Sequence, residues 1–459
     1  YGSTNAPAAN FALANPTNFR QAVFTVGANT LSLNLGSKAL TWSGTGGLTW
    51  DIATTSNWLD STPAASPFYQ GDVVTFTDAA GAANANVTIG GTTAAPLTPA
   101  TVTVNNSSAV PYIFSGAGSV GGGASFLKQG DGDLNFNASM VYTGGTVIDG
   151  GRIIADGNNA VNRQVAGGLV TINNTGTFEV RGVNALPNGA NSINATINAG
   201  GTLRVVTGTS AATSPTIGSH AHLGNLTLNG GTIDLTYSAL GTGSTYNGES
   251  FQLNGTVTVG GSTVSKIQSP ETAPLQGIAL AANRTFAVAN ATGNADTDLL
   301  ITAEVENSDS DNGALTKTGA GTLELAAANS YSGGTTVNEG TLVISNGTGN
   351  GSATGTGAVT IAAGATLTGN GGASGAVSVA GTIAPGPGAN VILTGAFTVT
   401  GTYNCDIDAD VSDTIVATGN VNFSGATLNV TQLNAPTAPD FVIASWTGTR
   451  TGTFQTVTG

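Results

Sequence analysis

Two stretches decide the fold: FLKQGDGDLNFNASMVYTGGTVIDGGRIIA, residues 126–155, and LTKTGAGTLELAAANSYSGGTTVNEGTLVI, residues 315–344. With Phe126 set on Leu315 they align without a gap. Lys128 meets Lys317, Gly130 meets Gly319, Gly132 meets Gly321 and Leu134 meets Leu323. Further on, Tyr142 meets Tyr331, Gly144-Gly145-Thr146 meets Gly333-Gly334-Thr335, and Gly151 meets Gly340. Self-similarity of this kind marks a repeat architecture.

Working outward, a shorter unit recurs: Gly-Thr, an apolar residue, any residue, another apolar residue. It includes Phe178-Glu179-Val180, Leu203-Arg204-Val205, Ile233-Asp234-Leu235 and Leu323-Glu324-Leu325. Side chains alternate faces along a strand, so the apolar pair points inward and the charged middle residue outward. Because Glu, Arg and Asp all serve there, that outer face reads as plain solvent.

Strand starts fall at Gly357, Gly375, Gly395 and Gly419, each opening a Gly-x-apolar-x-apolar run. A spacing of about 20 residues, with only short strands and Gly, Asn and Thr turns between them, predicts one coil of a parallel β-helix. Each coil then pairs its backbone with the next and adds a layer to one continuous core. An antiparallel sandwich is the less favoured alternative, since its hairpins call for frequent two-residue turns between long alternating runs.

Composition agrees. Of 459 residues, 68 are glycine and only 8 % are charged. Gly costs about 1 kcal/mol in a helix interior, so a helix-rich fold is excluded. With 40 % hydrophobic residues the chain does not have the disordered signature. A net charge of −14 with 11 scattered Lys and Arg leaves no basic patch for nucleic acid or anionic lipid. No apolar run approaches the ~18 residues of a membrane helix. Cys405 is the sole cysteine, which excludes an intrachain disulfide. The opening Tyr1-Gly2-Ser3 has no signal-peptide pattern, and we read the chain as a mature form from which an export signal was removed.

Three organisational regions follow: an N-terminal arm and Trp-rich β cap at 1–104, a parallel β-helix at 105–434, and C-terminal strands ending the solenoid at 435–459. The cap reading rests on Trp42, Trp50 and Trp58, with strand candidates at 21–26 and 31–35 and a polar arm over 1–20.

The KxGxGxLxL…YxGGTxVxxG pattern of the two long stretches resembles the autotransporter-associated β-strand repeat, also called the passenger-associated region repeat. The Trp42…Trp50-Asp51…Asn57-Trp58…Gly71-Asp72 run is similar to the entry region of large secreted bacterial proteins that carry it. The segments 381–386, 413–419 and 441–454 are similar to the family as well. The resemblance implies a right-handed parallel β-helix (β-solenoid) outside the cell, and it implies no single activity. The sequence departs from a complete autotransporter because no run of barrel strands follows.

Candidate chemistry is sparse. Asp406, Asp408 and Asp410 alternate with Cys405, Ile407 and Ala409. A strand there would line up the carboxylates, with Asp413 helping, for calcium; the same pattern suits a solvated face. Asp309 and Asp311 form a second oxygen-rich stretch, in a sequence also ordinary for a turn. His220 and His222 would share a face as the start of a zinc site. Trp42, Trp50, Trp58, Tyr142 and Tyr331 are the aromatics available to sugars, although the repeated tyrosine position favours a structural role. No catalytic residues are expected: no paired carboxylates stand beside Arg or Lys, and no Gly-x-Ser-x-Gly elbow stands beside a His. The expected function is a secreted, cell-surface structural protein without a required cofactor. It would assemble head-to-tail into a filament or sheath, the N-terminal strands of one copy pairing with the C-terminal end of the next. The alternative is a monomeric surface adhesin that binds glycans.

Overall fold

The structure, a computed structural model, describes residues 11–62, 64–156, 168–181, 185–186, 192–207, 221–237, 249–270, 277–308, 311–386 and 388–459. The chain divides into two compact units, residues 1–187 and 188–459. Both are parallel β-helices. Among the described residues the only helical elements are three single 3-10 turns, Pro16–Asn18, Asp78–Ala80 and Ala82–Asn84.

In the first unit, one sheet runs through Ala39–Trp42, Val73–Thr77, Thr101–Asn105, Ser125–Gln129, Thr146–Ile148 and Leu169–Ile172, every neighbour parallel. A second runs through Thr49–Trp50, Asn86–Ile89, Tyr112–Val120, Asp133–Met140, Arg152–Asp156 and Thr177–Arg181. Parallel stacking therefore starts at Ala39, just ahead of Trp42. The tryptophans close this end of the core. Trp42, Trp50 and Trp58 are at most 1 % exposed. Their rings meet edge to face at 5.0 Å (Trp42–Trp58) and 5.4 Å (Trp50–Trp58), a favoured aromatic geometry.

Ahead of the coils lies an antiparallel hairpin, Ala22–Val26 with Leu31–Leu35. Its root is fixed. Arg20 pairs with the buried Asp72 at 2.6 Å and lies 4.8 Å over the Tyr69 ring, and the Gln70 N–H donates to the Asn18 carbonyl.

In the second unit the strand starts behave as their spacing predicts. Val359 pairs with Val377, Val377 with Phe397, and Phe397 with Val421, all parallel. On the neighbouring sheet a threonine at the strand start forms an unbroken column, Thr322, Thr341, Thr366, Thr382, Thr402, Thr427 and Thr456, four of them from Gly-Thr units. One residue further, Leu323, Leu342, Leu367, Ile383, Tyr403 and Leu428 form the inward column, each buried. Each such side chain contributes about 1.5–3 kcal/mol by leaving water. A third sheet appears late, from Gly372–Ala373 through Asn390–Leu393 and Thr414–Ala417 to Ala444–Trp446. Parallel pairing from coil to coil in both units excludes the sandwich; the antiparallel pairs at Trp58–Leu59 and at Val411–Ser412 are local.

Candidate functional site

The repeat signature is one structural module. Ser125–Gln129 alternates inward and outward, and Lys128 takes an inward position between Val104 of the coil before and Ile148 of the coil after. Lys317 does the same between Phe286 and Val337. Both lysines are fully buried. Their stems continue an apolar column, and their ammonium groups turn into a corner of main-chain carbonyls. Lys128 Nζ donates to the Gln129 and Gly130 oxygens at 2.5 and 3.3 Å. Lys317 Nζ donates to the Gly319 and Glu339 oxygens at 2.8 and 2.9 Å. Burial pushes both amines down to about 8, opposed by Asp133, Asp131 and Asp78 around the first and by Asp298 and Glu339 around the second.

The repeat's last glycine completes the corner. Gly151 and Gly340 have φ of +62° and +69°. A Cβ on Gly340 would stand 2.4 Å from the Gly321 oxygen, 2.5 Å from the Gly319 oxygen and 2.7 Å from Lys317 Nζ. On Gly151 the distances to the matching groups, Gly132, Gly130 and Lys128, are 2.4, 2.6 and 2.8 Å. Lysine and three glycines are thus kept together because each occupies space the others leave. The repeated tyrosine is internal as well. Tyr142 and Tyr331 are fully buried, their hydroxyls 2.6 Å from Thr146 and Thr335 Oγ1. None of the five candidate sugar-stacking rings reaches the surface; all fill the core.

The charged middle positions are not plain solvent, which corrects the reading from residue tolerance alone. Glu179 is 2 % exposed, and Arg152 of the preceding coil reaches it at 2.8 Å while holding Asp133 at 2.7 Å on the other side. Arg181 also pairs with Glu179. Arg204 meets Asp234 of the next coil at 3.2 Å. Glu324 accepts from the Thr297 and Ser345 hydroxyls at 2.6 and 2.7 Å. Coils stack at about 4.8 Å, so a long polar side chain finds its partner directly above or below.

The calcium candidates are dispersed. Cys405 is buried as its alternation requires, but the strand ends at Asp408 and turns back through Ala409-Asp410. Asp408 accepts from Asn434 Nδ2 at 2.5 Å. Asp410 accepts from the Thr437 hydroxyl and from the N–H groups of Thr437 and Ala438, which hold its carboxyl below the usual range. Asp413 faces inward, fully buried. Its Oδ2 accepts from the Asp406 N–H at 3.2 Å, while its Oδ1 has no hydrogen-bond partner. Burial pushes this carboxyl up to about 6. Asp311 accepts from the Ser308 hydroxyl, and Asp309 lies outside the described residues. His220 also lies outside them, and His222 Nδ1 is 3.2 Å from Asn254 Nδ2. Among the described residues no group of three or more His, Cys, Asp or Glu side chains comes together to hold a metal ion.

Exposed apolar residues concentrate in two places. Of the twelve large apolar side chains exposed among the described residues, five lie on the N-terminal hairpin: Val23, Val26, Leu31, Leu33 and Leu35. Four lie in or beside the last coil: Leu433, Val442, Trp446 and Val457. A cleft of about 510 Å³ opens there, lined by Phe423, Phe441, Val442, Trp446, Phe454 and Val457. The strands of that coil, Ala444–Trp446, Arg450–Thr451 and Thr456–Thr458, each pair on one side only among the described residues.

Comparison with known families agrees with this geometry. The model of the passenger-associated-transport-repeat matches residues 126–155 and 315–344. The chain thus carries two autotransporter-associated repeats, which point to a secreted or cell-surface protein of passenger type. No curated protein matches the chain. No helix among the described residues is long and apolar enough to cross a membrane.

Proposed function

We propose that this protein is a structural subunit of an extracellular filament or sheath. The N-terminal hairpin of one copy adds to the C-terminal coil of the next. The observation that carries this reading is the placement of exposed apolar side chains: nine of the twelve among the described residues lie on the hairpin or in or beside the last coil. A two-stranded hairpin gains little stability alone and needs a further apolar surface. The last coil offers one, together with strand edges that recruit another strand. The two surfaces differ, so the contact is head-to-tail and propagates.

Two variants test the reading by complementation. Deleting residues 1–35 removes the donor. Trp446→Lys with Val457→Lys blocks the acceptor. The full chain is expected to form filaments by electron microscopy, each variant alone is expected to stay monomeric, and an equimolar mixture is expected to give discrete dimers. Filaments from either variant alone, or isolated monomers of the unaltered chain at high concentration, overturn the proposal. Glycan binding by such a monodisperse protein favours an adhesin instead.

A further inference from the structure

We propose that the corner of each repeat is a binding cage for a small monovalent cation, filled in the native chain by the repeat's own lysine. The cage is made of main-chain oxygens that point at one buried position. Around Lys128 these are the oxygens of Gln129 and Gly130, and around Lys317 those of Gly319 and Glu339. The two copies share one of these oxygens, that of the aligned Gly130 and Gly319, and differ in the other; in both, the ammonium sits in the same corner beside the same left-handed glycine. What the repeat preserves is a cation among carbonyls, held in both copies by the oxygen of the glycine two residues on.

The surrounding charges favour this occupant. Asp78, Asp131 and Asp133 act on the first corner and Asp298 and Glu339 on the second, all favouring a positive charge. Asp298 is itself fully buried, with its carboxylate fixed by the Thr292 and Thr322 N–H groups at 2.8 and 2.7 Å. These carbonyls are part-buried, and stripped of the cation each loses a charge-assisted hydrogen bond. An apolar side chain as long as lysine fills the stem's volume and leaves that deficit in place. A short side chain leaves both the deficit and the room to correct it from solution.

The ligand class is therefore ammonium or a primary alkylammonium, which supplies N–H donors to the oxygens. Tetramethylammonium supplies none. Lys317→Ala and Lys128→Ala are to be unfolded thermally in the chlorides of sodium, ammonium, methylammonium and tetramethylammonium at equal ionic strength, beside the unaltered chain and Lys317→Met. The unaltered chain is expected to be indifferent to the cation. Each alanine variant is expected to recover at least half of its lost Tm in ammonium or methylammonium relative to tetramethylammonium. Lys317→Met, whose side chain blocks the cage, is expected to recover none. If an alanine variant fails to fold in sodium, its refolding yield in methylammonium against tetramethylammonium is the readout, with the same two outcomes. An alanine variant as stable as the unaltered chain, equal behaviour in all four salts, or equal recovery by the methionine variant overturns the cage.

Discussion

Glu179 is bridged at 2.8 Å by Arg152, a residue of the coil before it, although the two are 27 positions apart in sequence. The same guanidinium grips Asp133 through Nε and Nη2 at 3.1 and 2.7 Å, so one arginine ties three successive coils. Glu179→Ala removes the most buried member and leaves Arg152 and Arg181 facing each other. The expected loss is about 2 kcal/mol, below the full cost of breaking a buried pair because both arginines remain about one-third exposed. Denaturant unfolding of the variant, with a weaker dependence on salt than the unaltered chain, checks it.

Gly340 and Gly364 both have left-handed backbones, φ +69° and +87°, but differ in what surrounds them. At Gly364 a Cβ meets nothing within 4 Å. Gly364→Ala is expected to cost about 1 kcal/mol, the backbone penalty alone. Gly340→Ala drives a methyl group into the lysine corner and is expected to cost at least about 3 kcal/mol. Thermal unfolding of the two variants side by side separates strain from crowding.

Asp413 gives a pH dependence of defined sign. Its carboxyl is pushed up from 3.8 to about 6, first by burial and further by the Asp406 charge, against the N–H donors of Asp406, Gly388 and Ala389. A raised value means the folded state holds the proton more tightly. The stabilisation is complete below pH 3.8 and is lost as pH rises through about 6. It bears on the last coil: the neighbouring Tyr403 hydroxyl is 2.7 Å from the Ile443 oxygen, and Thr414 donates to Val442 at 2.9 Å. Amide exchange over 442–446, corrected for intrinsic rates, is expected to slow about tenfold between pH 7 and pH 4.5. Asp413→Asn is expected to flatten this dependence, and a slope unchanged in the variant refutes the assignment.

Tyr331→Phe removes only a hydroxyl. Thr335 Oγ1 keeps its 3.3 Å bond to the Thr354 oxygen, so the expected loss is about 1 kcal/mol, read from the urea midpoint. A larger loss in Tyr331→Leu, by the aromatic burial removed, distinguishes packing from the hydrogen bond.

The coils were legible in the sequence because their grammar is local. Gly357, Gly375, Gly395 and Gly419 open strands whose inward residues stack in the order the spacing implies. The repeated tyrosine and the three N-terminal tryptophans could also be read, since large aromatics at fixed positions in a charge-poor chain have a core to fill. The lysine corner was not legible. An isolated Lys reads as a solvated residue, and nothing near Lys317 in sequence announces that the Glu339 oxygen closes on it from the following coil. The same holds for Arg152 and Glu179, whose relation depends on a coil length that varies along the chain. For Asp406 to Asp410 the strand was correct as far as Asp408, but the inward burial stops at Cys405, since Ile407 is only half-buried. The strand failed at Ala409, whose φ of 53° turns the chain back on itself.

The regular register of the coils from Thr335 to Thr402 has a consequence for inheritance. Val359–Ile361 rests on Thr335–Val337 exactly as Val377–Val379 rests on Val359–Ile361, and Thr382 follows Thr366 as Thr366 follows Thr341. Excising residues 359–376 would let the remaining strands of these two sheets find equivalent seats, with their inward residues still facing inward. Duplicating the same stretch would do so too. Genes for such a chain can shrink or grow in whole turns through unequal recombination, so its reach is a quantity selection can adjust without redesigning any interior.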